Sequence, residues 1–129
     1  MSLTVYNSST AIGKVQRSHT VSYANRIYMG TAAIPAYIDS VFIRSLEKSK
    51  LSAARSMTET VTAGEGEYIW YACPAAGYGT PSFKLGNPFE GGAEKAGEIM
   101  LTNASGYSEV YQVWRSVNSG LGTMKVEVI

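Results

Sequence analysis

Residues 68–73, YIWYAC, put apolar side chains on both faces of an extended chain. Tyr68, Trp70 and Ala72 point one way and Ile69, Tyr71 and Cys73 the other, because successive side chains of a strand alternate. A strand with one wet face would alternate apolar and polar residues, so this one has to be covered twice. The cover must come from a second sheet and a helix, or from a neighbouring subunit. After Cys73 the chain dissolves into "PAAGYGTPSF" (74–83), which carries small residues, glycine and proline. The whole run therefore reads as a buried central strand followed by a loop, not as the wall of an aromatic site. The loop is the expected contact surface.

The rest of the chain continues the β theme. In TMKVEVI (123–129), Met124, Val126 and Val128 alternate with Thr123, Lys125 and Glu127, the period of a strand with one wet face. Upstream, YSEVYQVWRSV (107–117) is rich in β-branched and aromatic residues and lies between the turn signals NASG (103–106) and NSGLG (118–122). An antiparallel meander of three strands is predicted, at about 97–103, 107–117 and 123–129. Met57 and Val61 alternate with polar neighbours, and AGEGE (63–67) then predicts a hairpin into YIWYAC. RIYMG (26–30) reads as a short strand ended by Gly30. Residues 74–95 read as a long loop or a short irregular strand around SFKL, a length uncommon without a function.

One segment departs from this period. In PAYIDSVFIRSLEKS (35–49), Ile38, Val41, Phe42 and Leu46 recur at helical spacing and Pro35 suits a first turn. One helix of about three turns is predicted there. Short strands at regular turn spacing with one inserted helix define the expected class: mainly β, an antiparallel β-sandwich of jelly-roll or immunoglobulin-like type. Its length of 129 residues fits one such domain at 26–129, preceded by an arm or edge strand over 1–25.

Composition narrows the function. The chain is 45% hydrophobic and 16% charged, so it should fold and not remain disordered. Eleven basic against ten acidic side chains, with no block of one sign, leave no footprint for a nucleic acid partner. No apolar run approaches the length of a membrane helix, and the chain starts without an apolar signal region. No membrane insertion is expected, and synthesis in the cytoplasm is.

The inventory for chemistry is thin. Cys73 is the single cysteine and His19 the single histidine, so an internal disulfide is excluded and a zinc framework or a nucleophile–histidine pair is not expected. Cys73 before Pro74 reads as a small buried hydrophobe, and His19, in QRSHTVS, as a solvated side chain. Glu65 and Glu67 flank Gly66 in a turn, and Glu90, Glu94 and Glu98 lie in a glycine-rich stretch, so a facing catalytic pair lacks support. GGAEKAG (91–97) lacks the Gly-Lys-Ser/Thr ending of a phosphate loop. NSS (7–9) and NAS (103–105) match the glycosylation pattern but read as polar turns. No enzyme, metal or cofactor is expected.

The order of segments resembles modules in virion proteins of tailed bacteriophages, in tail, fibre and baseplate-associated proteins. The likeness lies in RIYMG, the Ile-Pro-led helical stretch, LSAARSMTETVTAGEGEYIWYACPAAGYGTPSF, the F-E-G-G run, LTNASGYSEVYQVWRSVNSGLG and the closing MKVEVI. The matching positions are Arg26 to Tyr28, Tyr68 to Pro74, Asn103 to Tyr111, and Arg115 to Asn118, the third of these being the most specific. The likeness spans about residues 26–129. Met29 stands where a common variant has tryptophan, and the first 25 residues match nothing in the pattern.

What the resemblance implies is a non-enzymatic structural or adhesive part of a phage or prophage particle, repeated by symmetry. It transfers no catalytic residue. On this reading the chain resides in the virion, associates with itself and docks on other virion proteins. The expected contact positions are Tyr78, Phe83, Phe89, Tyr107 and Trp114. A binder of host-surface glycan or receptor is the alternative, with 74–95 and 118–122 forming its site.

Overall fold

The computed structural model describes residues 26–51, 53–102 and 105–129. Among them, seven strands and one helix follow in order: β1 (Arg26–Ala32), α1 (Ser40–Ser45), β2 (Lys48–Leu51), β3 (Met57–Pro74), β4 (Phe83–Lys84), β5 (Ala93–Thr102), β6 (Ser108–Ser116) and β7 (Gly120–Val128). Every strand pairing is antiparallel. The chain is thus mainly β with one short helix, as its periodicity predicted. The predicted arm or edge strand at 1–25, with His19 and NSS, lies outside the described residues, as do Asn103 and Ala104.

β3 organises the molecule. Its second half, from Tyr68, lies between β1 and β6 in the strand order β2-β1-β3-β6-β5. Its first half, Met57 to Ala63, pairs instead with β7, which also pairs with β4. Between the halves the register slips from Ala63 opposite Gly122 to Glu67 opposite Gly120. Four steps on β3 match two on β7, so two extra residues bulge out and bend the strand. Gly66 supplies the left-handed conformation at φ 81°, and the Glu67 carboxylate accepts the Gly64 N–H at 2.6 Å.

AGEGE is therefore a corner and not the predicted hairpin. The two halves of β3 bond to different neighbours instead of to each other.

Apolar residues fill two layers. On one side of the five-strand region, Tyr28, Trp70, Ala72, Leu101, Tyr111 and Val113 pack with Ile38, Ile43 and Leu46 beneath α1. On the other, Ile27, Met29, Ile69, Tyr71 and Cys73 pack with Met57, Val61, Ala63, Val126 and Val128 from the β3–β7 region, in a sandwich-like layer. Trp70 is 0% and Tyr71 1% exposed, and burying one such large side chain contributes about 1.5–3 kcal/mol. The two-sided cover demanded by YIWYAC is thus supplied within one chain, by the helix and by the second layer.

Three further expectations need correction. The helix is shorter than 35–49 and runs over 40–45. Asp39 caps it, accepting the Phe42 N–H at 2.9 Å. Beyond Leu46 the chain is recruited by the β1 edge, where Lys48, Ser49 and Lys50 pair with Met29, Tyr28 and Ile27. Ile38 lies before the helix, and within it the buried face is not the one read in the sequence: Ile43 is buried and Val41 is 58% exposed.

β1 also runs past Gly30 to Ala32. Gly30 serves close approach, since a Cβ there would meet the Glu47 backbone nitrogen at 2.8 Å.

The meander, finally, has two strands and not three. β5 and β6 pair as predicted, but β6 has β3 on its other side, so β7 finds no free edge there and crosses to the first half of β3. SFKL does hold a short strand, β4.

Candidate contact surfaces

The loop after β3 is tied down by polar side chains. The Gln112 amide donates to the Gly79 carbonyl at 2.8 Å and the Pro74 carbonyl at 3.3 Å, and its oxygen accepts Trp114 Nε1 at 3.0 Å. Arg55 donates through Nη1 to the Tyr78 carbonyl at 2.6 Å and through Nε to the Ile129 carbonyl at 2.9 Å. The Tyr71 hydroxyl donates to the Arg55 carbonyl. Ser82 and Ile129 exchange both backbone hydrogen bonds at 2.9 Å. A stretch that reads as a loop is held at Pro74, Tyr78, Gly79 and Ser82.

Cys73 sits inside this network. Burial pushes its thiol up from 9.0 to about 11, against the opposing effects of hydrogen bonds with the Tyr71 and Gln112 side chains and the nearby Arg55 charge. Burial, with Cys73 beside it, also raises the Tyr71 hydroxyl well above the usual tyrosine range. Both groups stay protonated at neutral pH, and a thiol in that state is a poor nucleophile.

The predicted contact residues separate into three settings. Phe83 and Trp114 meet with ring centroids 5.7 Å apart, and Phe83 stands edge-on to Tyr71 at 5.4 Å. Tyr78 packs partly buried against the same layer. Phe89 is 0% exposed, so it belongs to the core and presents no surface. Tyr107, next to β6, is 61% exposed. Four of the five positions thus converge on one core, and Tyr107 lies on the surface.

The F-E-G-G and Arg-Ser-Val-Asn stretches, far apart in sequence, form one corner. Asn118 Nδ2 donates to the Glu90 carbonyl at 2.6 Å and the Val117 N–H to the Gly92 carbonyl at 2.9 Å. The Ser116 hydroxyl accepts the Ile69 N–H at 3.0 Å and donates to the Asn118 carbonyl at 2.8 Å. Arg115 lies 4.4 Å over the Tyr68 ring and bonds Glu94 at 2.9 Å.

The other glutamates singled out in the sequence are each engaged or exposed. Glu98 pairs with Lys95 at 2.7 Å, Glu67 holds the β3 corner, and Glu65 and Glu90 face solvent. Glu109 buries its Oε1 without a hydrogen-bond partner, and that burial raises its carboxyl. Among the described residues no three His, Cys, Asp or Glu side chains are grouped as a metal would require, and no helix is long and apolar enough to cross a membrane.

The surface holds apolar residues that the sequence did not single out: Leu121 is 69%, Leu51 62%, Met100 47% and Val110 37% exposed. Alternation in EIMLT and SEVYQVW could have placed Met100 and Val110 on faces of their strands, but not shown that the face lacks cover.

No protein-family model, curated protein or solved structure matches the chain.

Proposed function

We propose that the chain is a non-enzymatic structural component of a tailed-phage or prophage virion, one that associates with itself and docks on other virion proteins. On this reading it is made in the host cytoplasm and ends in the particle. The observation that carries the proposal is how its apolar surface is distributed. The chain covers both faces of its aromatic central strand by itself, and what it still turns outward is strand edges and separate apolar side chains. Such edges are normally blunted or paired, and repeated copies offer a way to pair them. The motif likeness to virion modules points the same way.

The glycan-binding alternative has less support, because Phe83, Phe89 and Trp114 pack inward and do not line a rim as sugar-stacking rings would. Light scattering on the purified chain after size exclusion, with negative-stain images of any large peak, tests the proposal. A closed multimer supports it. A strict monomer at high concentration argues against it and directs attention to screening the 74–95 and 118–122 stretches against surface glycans.

A further inference from the structure

We infer that two copies of this chain join edge to edge along β5, antiparallel, in a register centred on Met100. The inference rests on the self-associating reading above and specifies its surface.

Among the described residues, β5 is hydrogen-bonded on one side only, to β6. The first half of its open edge is blunted. Register with β6 slips between Lys95 and Gly97, and the Lys95–Glu98 ion pair sits on that stretch, both devices that keep edges from pairing. From Glu98 to Thr102 the ladder runs unbroken, opposite Gln112 to Ser108, and carries no charge after Glu98 and neither glycine nor proline.

The other edges are less suited. β2 has four residues, including Lys48 and Lys50, and β4 has two. β7 is covered by β4 only at Glu127 and Val128, and the rest of that side carries Gly120, Gly122 and Lys125, residues that weaken or blunt an edge. The open side of β3's first half has Glu59 at its middle, and its Thr62 carbonyl already accepts the Thr31 hydroxyl at 3.0 Å.

From Glu98 to Thr102, exposure is confined to one face. Met100 lies directly opposite Val110, and the two are 47% and 37% exposed, whereas Ile99 and Leu101 on the reverse face are 9% and 0% exposed. The Thr102 and Ser108 hydroxyls, bonded at 2.8 Å, close one end of this apolar pair.

Charge and apolar matching then select the register. A twofold axis perpendicular to the sheet keeps the same face outward in both copies, so only residues of like parity can oppose one another. Centring on Glu98 would set two carboxylates face to face, an unfavourable cross-strand pair; centring on Ile99 would set Glu98 against the apolar Met100, and centring on Leu101 would set Met100 against Thr102. Centring on Met100 opposes Met100 to its own copy, Ile99 to Leu101, and Glu98 to Thr102. Carboxylate meets hydroxyl, apolar meets apolar, and Val110, Met100 and their copies form one apolar row across the joint. A five-residue joint is smaller than the about 1,200 Å² typical of stable complexes, so association depends on concentration and is favoured where copies are dense.

The test uses the full chain. Met100→Cys, oxidised mildly at high protein concentration, is expected to give a covalent dimer on a non-reducing gel, and Thr58→Cys on the β3 edge none. Met100→Lys, at an exposed position, is expected to raise the concentration needed for half-association by at least about tenfold. If the parent chain associates while Met100→Cys fails to cross-link and Met100→Lys leaves the mass unchanged, this joint is overturned and self-association stands. If the parent stays monomeric at every concentration, both fall. Should Met100→Lys not fold, the cross-linking comparison decides alone.

Discussion

The backbone of Gly120 lies against the ring of Pro88 so closely that a methyl group at Gly120 would come within 2.2 Å of Pro88 Cγ. No side chain fits there, and the contact fixes loop 86–92 against the start of β7. Gly120→Ala is therefore expected to destabilise the fold by about 1–3 kcal/mol, the usual cost of overpacking. Denaturant unfolding measures it. Adding Pro88→Ala should recover part of the loss by removing the opposing ring, whereas an equal loss in the double variant would place the strain elsewhere.

Gln112 joins three groups: the Gly79 and Pro74 carbonyls and Trp114 Nε1. Gln112→Leu keeps the bulk and leaves these unpaired, at an expected cost of about 1–3 kcal/mol. Hydrogen exchange should show faster exchange across 75–82, with the β5–β6 ladder less affected. Uniform acceleration over the whole chain would mean that Gln112 supports the core in general and not the loop.

Cys73 sets an alkaline limit. The unfolded thiol ionises near 9.0 and the folded one near 11, so the folded state disfavours the thiolate. The associated stability is complete below pH 9.0, is lost as pH rises, and has gone by about 11. Tyr71, raised by burial as well, acts in the same sense at higher pH. Melting temperature should fall over this window, and less steeply in Cys73→Ala. A thiol reagent should leave the native chain untouched at neutral pH and label it once unfolded.

Asp39 caps a helix of only six residues. Asp39→Ala is expected to cost about 1 kcal/mol, and Asp39→Ser much less, because serine also caps. Thermal unfolding of the two variants compares them. Equal losses would show that Asp39 acts through something other than its bond to the Phe42 N–H.

Local periodicity carried much of the fold. The two-sided apolar pattern of Tyr68–Cys73 required cover on both faces, and the alternation in residues 123–129 placed Val126 and Val128 inward, as found. What periodicity does not encode is which neighbour a strand chooses. AGEGE suits a hairpin turn and a corner equally, and only the pairing of Met57–Ala63 with β7 decides between them. A helix around Val41 was legible, though not its buried face, and the β1 edge took over the chain from Lys48.

The contact residues were less legible. An aromatic residue reads alike whether it ends as core or as surface: Phe89 is enclosed, and Phe83 meets Trp114 across 31 positions of sequence. Met100 became visible only once β6 was known on one side of its strand, with no strand on the other among the described residues.

The two tryptophans fall in different layers. Trp70 lies under the helix, edge-on to Phe42 at 4.9 Å, and Trp114 packs in the other layer beside Phe83. Each layer thus contains its own fluorophore, and single-tryptophan variants would follow the two separately. With β3 running through both, their emission curves should coincide on heating, a direct optical gauge of how cooperatively the domain melts.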